Sequence, residues 1–86
     1  MTDNELDDDG HVVLLVRGTV QGVGFRDAAH RELHRLGLRG EATNQPDGTV
    51  RVTARGQVAA LRHLNAWLVG PDAPGKVLGV ETLEVG

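Results

Sequence analysis

Leu38-Arg39-Gly40-Glu41-Ala42-Thr43-Asn44-Gln45-Pro46-Asp47-Gly48-Thr49-Val50-Arg51-Val52-Thr53-Ala54-Arg55 reads as a β-hairpin, and its position mid-chain decides the fold. Thr49 to Arg55 alternates cleanly, with Val50, Val52 and Ala54 on one side and Arg51, Thr53 and Arg55 on the other. That period of two marks a half-buried strand. Leu38 to Asn44 alternates more weakly, with Leu38, Gly40 and Ala42 inward. Between the arms, Gln45-Pro46-Asp47-Gly48 is a turn, because proline presets φ and glycine tolerates positive φ.

On both sides of the hairpin the spacing becomes helical. Upstream, Phe25, Ala28, Ala29, Leu33 and Leu36 fall on one helical face, whereas Arg26, Arg31, Glu32, His34 and Arg35 lie away from it. Gly37 stands where a C-terminal cap belongs. Downstream, Gln57 to Val69 turns Val58, Leu61, Leu64 and Leu68 inward, and Gly70-Pro71 stops it. Further out, the β-branched run His11 to Arg17 (HVVLLVR) and the segment Lys76 to Val85 read as strands. The apolar phase of the last strand shifts between Val80 and Leu83, which predicts a bulge near Glu81. The order is β-α-β-β-α-β. It specifies an α+β, ferredoxin-like sandwich with two helices on one face of an antiparallel sheet.

Eighty-six residues make one domain, placed at 11–86. Met1 to Gly10 holds Asp3, Glu5, Asp7, Asp8 and Asp9 and reads as a disordered acidic leader. The remaining chain carries nine Lys and Arg against seven Asp and Glu, a mildly basic balance that suits a small anion better than nucleic acid. RNA-recognition domains of this topology need aromatic residues on the central strands; HVVLLVR and TVRVTAR contain none. With no cysteine, disulfides and thiolate chemistry are excluded. No stretch is apolar enough to span a membrane, and the acidic N-terminus is unlike a signal peptide, so a cytoplasmic monomer is expected.

The topology also locates a site. In a split βαβ unit the first two strands run parallel with the third between them, so their C-terminal ends share one sheet edge. The loop from Gly18 to Gly24 leaves the first end and Asn44 closes the second, two strand spacings or roughly 10 Å apart. Three glycines in seven residues let backbone N–H groups converge on an oxyanion, and the loop delivers the chain to a helix N-terminus. Arg26, in the first turn, adds a planar fork for two phosphate oxygens. The glycines alone are equally well read as a plain connector, and Asn44 alone as a residue that bonds the turn's own backbone.

Gly18-Thr19-Val20-Gln21-Gly22-Val23-Gly24-Phe25-Arg26 resembles the first signature of the acylphosphatase family. Gly40, Asn44, Asp47, Gly48 and Val50 resemble its second, at the expected separation. The resemblance runs from about His11 to the C-terminus. It implies hydrolysis of acyl phosphates to a carboxylate and inorganic phosphate, without metal or other cofactor. By matching position, Gln21, Gly22, Val23, Gly24, Phe25 and Arg26 would bind the phosphoryl group, and Asn44 would orient the attacking water. Arg26 and Asn44 would be the catalytic pair. A relative of the same fold that binds phosphate or an acyl phosphate without turnover is the alternative.

Where relatives often carry Gly-aromatic-Val-Arg-Asn, this chain has Gly40-Glu41-Ala42-Thr43-Asn44, and Asp27 follows Arg26 directly. His30 and His34 have metal-compatible spacing, but neither lies on the apolar face and no third ligand is evident; both read as solvated helix surface, as does His63. Trp67 reads as core or partly exposed, and Arg51 and Arg55 as an exposed sheet face.

Overall fold

A computed structural model describes residues 9–86. The acidic leader from residue 1 to residue 8 lies outside the described residues. The elements are β1 (Asp9–Thr19), α1 (Phe25–Arg35), β2 (Arg39–Asn44), β3 (Val50–Gln57), α2 (Val58–Val69) and β4 (Lys76–Val85). The four strands form one sheet in the order β2-β3-β1-β4, and every neighbouring pair is antiparallel. β1 and β2 therefore run parallel to each other with β3 between them, as the topology requires. The expected α+β sandwich is the observed one.

The inward residues of the hairpin build the core: Val50 and Val52 are fully buried, and Ala54 and Ala42 nearly so. Leu14 and Val16 of β1 join them beneath Phe25, Ala29 and Leu33 of α1 and Leu64 and Leu68 of α2. Each large side chain fully buried here contributes about 1.5–3 kcal/mol. Helix α1 ends in a Schellman motif, in which Gly37 N–H bonds the His34 carbonyl and Leu38 N–H the Leu33 carbonyl. That closure turns the chain directly into β2.

Three expectations are corrected. β1 begins at Asp9, not His11, since Asp9 and Gly10 pair with Gln57 and Gly56 of β3. Backbone pairing needs no apolar side chain, so composition hides it. Glu32, read as outward, is buried at 8% exposure. Its carboxylate binds Arg35 Nε and Nη2, which satisfies the charge that burial would otherwise strand. The register of β4 shifts at Leu83 and Leu78, not at Glu81. Glu81 stays in the ladder opposite Leu15 and accepts a 2.9 Å bond from Arg17 Nη2.

Candidate active site

The C-terminal ends of β1 and β2 bound a cavity of about 220 Å³ lined by Val20, Gly22, Gly24, Phe25, Arg26, Asp27 and Asn44. It is smaller than the roughly 300–1,000 Å³ of pockets that enclose drug-sized molecules, so it suits a small anion. Its floor is the start of α1. Gly24 is the N-cap, at φ 81°, and it makes no side-chain cap hydrogen bond. A serine or aspartate there would take one of the first-turn amides; glycine leaves them to whatever enters the cavity. The positive φ is the reason glycine occupies the position, since an L side chain adopts it only at a cost of about 1–2 kcal/mol.

Arg26, placed by the sequence in the first helical turn after the loop, and Asn44, placed at the end of the second strand, both line this cavity. Arg26 is exposed, with Nη2 3.5 Å from the Asp27 carboxylate. Asn44 is the last residue of β2, opposite Val50. Among the hydrogen bonds of the described residues, none uses its side chain; the adjacent turn is braced by other groups. Asp47 Oδ1 accepts from Thr49 N–H at 3.0 Å and from Thr49 Oγ1 at 2.6 Å, and these bonds hold the Asp47 carboxyl below its ordinary 3.8. Gly48 N–H closes the turn on the Gln45 carbonyl at 3.1 Å.

The other loop residues divide by role. Gly22 and Gly24 line the cavity directly. The Gln21 side chain points elsewhere: Nε2 donates to the Gln45 and Thr49 carbonyls at 2.7 and 2.8 Å, tying the loop to the β2–β3 turn. Val23 is exposed and is not among the lining residues. The Phe25 ring is fully buried, 5.8 Å from the half-buried Trp67 ring.

The acylphosphatase family model matches residues 12–85. The chain belongs to the acylphosphatase family. The acylphosphatase of Alkalilimnicola ehrlichii is 49% identical over 72 residues, 84% of this chain and 81% of that one. That of Frankia casuarinae is 48% identical over 68 residues, 79% and 76% of the two chains. Among solved structures, the acylphosphatase of Coxiella burnetii superposes with a TM-score of 0.84 at 27% identity, covering 99% of this chain and 92% of that one. The Bacillus subtilis acylphosphatase gives 0.80 at 29% identity, covering 90% and 84%.

Within this acylphosphatase domain, sequence reasoning missed Val20 as a lining residue and the engagement of His30. Val20 is 1% exposed and carries no polar signal. His30 is exposed, as expected, but its Nε2 also accepts the Ala42 N–H at 2.9 Å. Its partner is a backbone group, which leaves no mark in the residue pattern. His34 is exposed, as expected. His63 lies close enough to Glu32 that, with the stronger Arg35 contact, it helps hold the Glu32 carboxyl below its ordinary value. Among the described residues no helix is long and apolar enough to cross a membrane.

Proposed function

We propose that the chain hydrolyses acyl phosphates to a carboxylate and inorganic phosphate at this cavity, with Arg26 and Asn44 as its catalytic residues. One observation carries the reading: an uncapped helix start, an arginine and an otherwise unengaged asparagine amide line the same small cavity. The amides of Gly22, Val23, Gly24 and Phe25, and the Arg26 guanidinium, hold the phosphoryl oxygens. Gln21 acts from behind, keeping the loop against the turn that carries Asn44. The Asn44 amide holds a water in line with the scissile bond. The water oxygen bonds to phosphorus, the bond from phosphorus to the acyl oxygen breaks, and the electron pair leaves on the carboxylate. A carboxylate is a weak base and departs without a general acid. An asparagine amide is no base at neutral pH, so the water's proton passes to a phosphoryl oxygen or to solvent. The protein supplies position and positive charge, which is most of what phosphoryl transfer asks of it.

The test is hydrolysis of benzoyl phosphate by the purified chain beside Arg26→Ala. Turnover that is lost in the variant, and competitive inhibition by inorganic phosphate, are expected. Binding of phosphate with no turnover by the wild type would favour the non-catalytic reading.

A further inference from the structure

His30 stands one helical turn after Arg26, and Ala42 stands two residues before Asn44 on the same side of β2. The 2.9 Å bond from Ala42 N–H to His30 Nε2 therefore joins the two elements that carry the proposed catalytic pair. It does so about 6 Å along the helix and about 7 Å along the strand from them. β2 is an edge strand, so the N–H groups on its outer side have no neighbouring strand to meet. Ala42 aligns with Val52 of β3 but sends its N–H to the helix.

We infer that His30 is a positioning residue, whose neutral imidazole sets the register of α1 against β2 and so the distance between Arg26 and Asn44. The inference rests on the reading of that pair as the site. Apolar packing between α1 and β2 is weakly directional, and on the helix side β2 offers it only Gly40 and Ala42 as nonpolar residues. A hydrogen bond fixes both distance and direction. Sites of this kind tolerate only about 0.5 Å of misplacement.

A backbone N–H can only donate, so Nε2 must carry the lone pair and Nδ1 the proton. Protonation of the ring removes the acceptor and sets two N–H groups head to head. On α1, Arg26, Asp27, Arg31, Glu32 and His34 lie within a turn of His30. From the strands packed against α1, the helix-side residues are Gly40, Ala42 and Asn44 of β2 and Val50, Val52 and Ala54 of β3, none of which titrates; α2, which meets α1 at Phe25 and Trp67, brings His63 toward Glu32. Glu41 and Arg39 alternate to the other side of the strand.

The experiment compares wild type, His30→Gln and His30→Leu, with Arg26→Ala and Asn44→Ala as controls. Benzoyl phosphate kinetics are followed at about pH 8. Phosphate affinity is measured by calorimetry and folding by circular dichroism. Glutamine places Oε1 the same number of bonds from Cβ as histidine places Nε2, and it accepts a hydrogen bond at every pH. His30→Gln, which keeps an acceptor at the same reach, should keep kcat within about twofold of wild type. His30→Leu should lower kcat about tenfold with phosphate affinity within twofold, since misplacing Asn44 harms the attack and not the anion's grip. A kcat in folded His30→Gln as low as about a tenth of wild type would overturn the inference, and so would wild-type kcat in a folded His30→Leu. If His30→Leu does not fold, His30→Gln decides alone. Full activity in the Arg26 and Asn44 controls would instead sink the proposed site itself, a separate failure.

Discussion

At the residue scale, Arg26 and Asn44 occupy one cavity but are asked for different work, and substitutions can separate them. Arg26→Ala should weaken phosphate binding and slow turnover together, because in the proposed mechanism the guanidinium meets the anion in both ground and transition states. A transition-state arginine is worth about 10³–10⁵ in rate. Asn44→Ala should leave phosphate affinity largely intact while single-turnover hydrolysis falls by about 10²–10³, the usual value of one preorganised polar group. An Asn44→Ala protein that turned over like wild type would reduce that residue to a turn former. Asp27 pulls the other way. Its carboxylate sits 3.5 Å from Arg26 Nη2 at an exposed site, where such pairs are worth about 0.2–1 kcal/mol. Asp27→Asn frees the guanidinium and removes a like charge from the cavity, so KM should fall about two- to fivefold with kcat little changed. A KM that rises instead would show that Asp27 orients Arg26 more than it competes for it.

At the scale of elements, the connector between α2 and β4 supports the loop between β1 and α1. Gly75, at φ 77°, lies so close to the Thr19 carbonyl that a Cβ would overlap it, and the same Cβ would come within 2.8 Å of Val23 Cγ2. Gly75→Ala therefore combines a disfavoured backbone conformation with a push on both ends of the loop. For a domain of this size each kcal/mol lost lowers Tm by about 4–8 °C, and the conformational cost alone is about 1–2 kcal/mol. Thermal unfolding should move down by at least the smaller figure, with weaker phosphate binding alongside. Unchanged affinity in the destabilised variant would mean that the loop is held by Gln21 alone. The hairpin was readable because its turn chemistry and its alternation are both local. The bulges of β4 were not, because they depend on how β1 pairs with it: Leu83 and Leu78 are skipped, while Arg17 holds Glu81 in place.

Across the whole molecule, pH acts through carboxylates bonded in the folded state. Arg35 holds the buried Glu32 carboxyl below its ordinary 4.5, chiefly by hydrogen bonding, against an opposing effect of burial. The native state thus binds fewer protons than the unfolded chain in this window. Stability from this pair is complete above about pH 4.5 and is lost as pH falls through the lower folded value. Asp47, lowered through Thr49, adds in the same direction. Tm should fall on acidification below pH 4.5, and Glu32→Gln should flatten that slope while lowering Tm at neutral pH. An acid slope identical in the variant would assign the effect to other groups.

What the sequence alone determined was the order of elements, the inward faces of both helices and both hairpin arms, and the convergence of Arg26 and Asn44 on one sheet edge. These follow from spacing, turn chemistry and the connectivity of a split βαβ unit, all of which are written along the chain. The tertiary structure decided what depends on atoms far apart in sequence and often on backbone alone. Gln21 reaches the carbonyls of Gln45 and Thr49, His30 takes the N–H of Ala42, and Asp9 and Gly10 extend β1 against β3. Backbone N–H and C=O groups are the same at every residue but proline, so a side chain that binds one leaves no partner to recognise in the sequence.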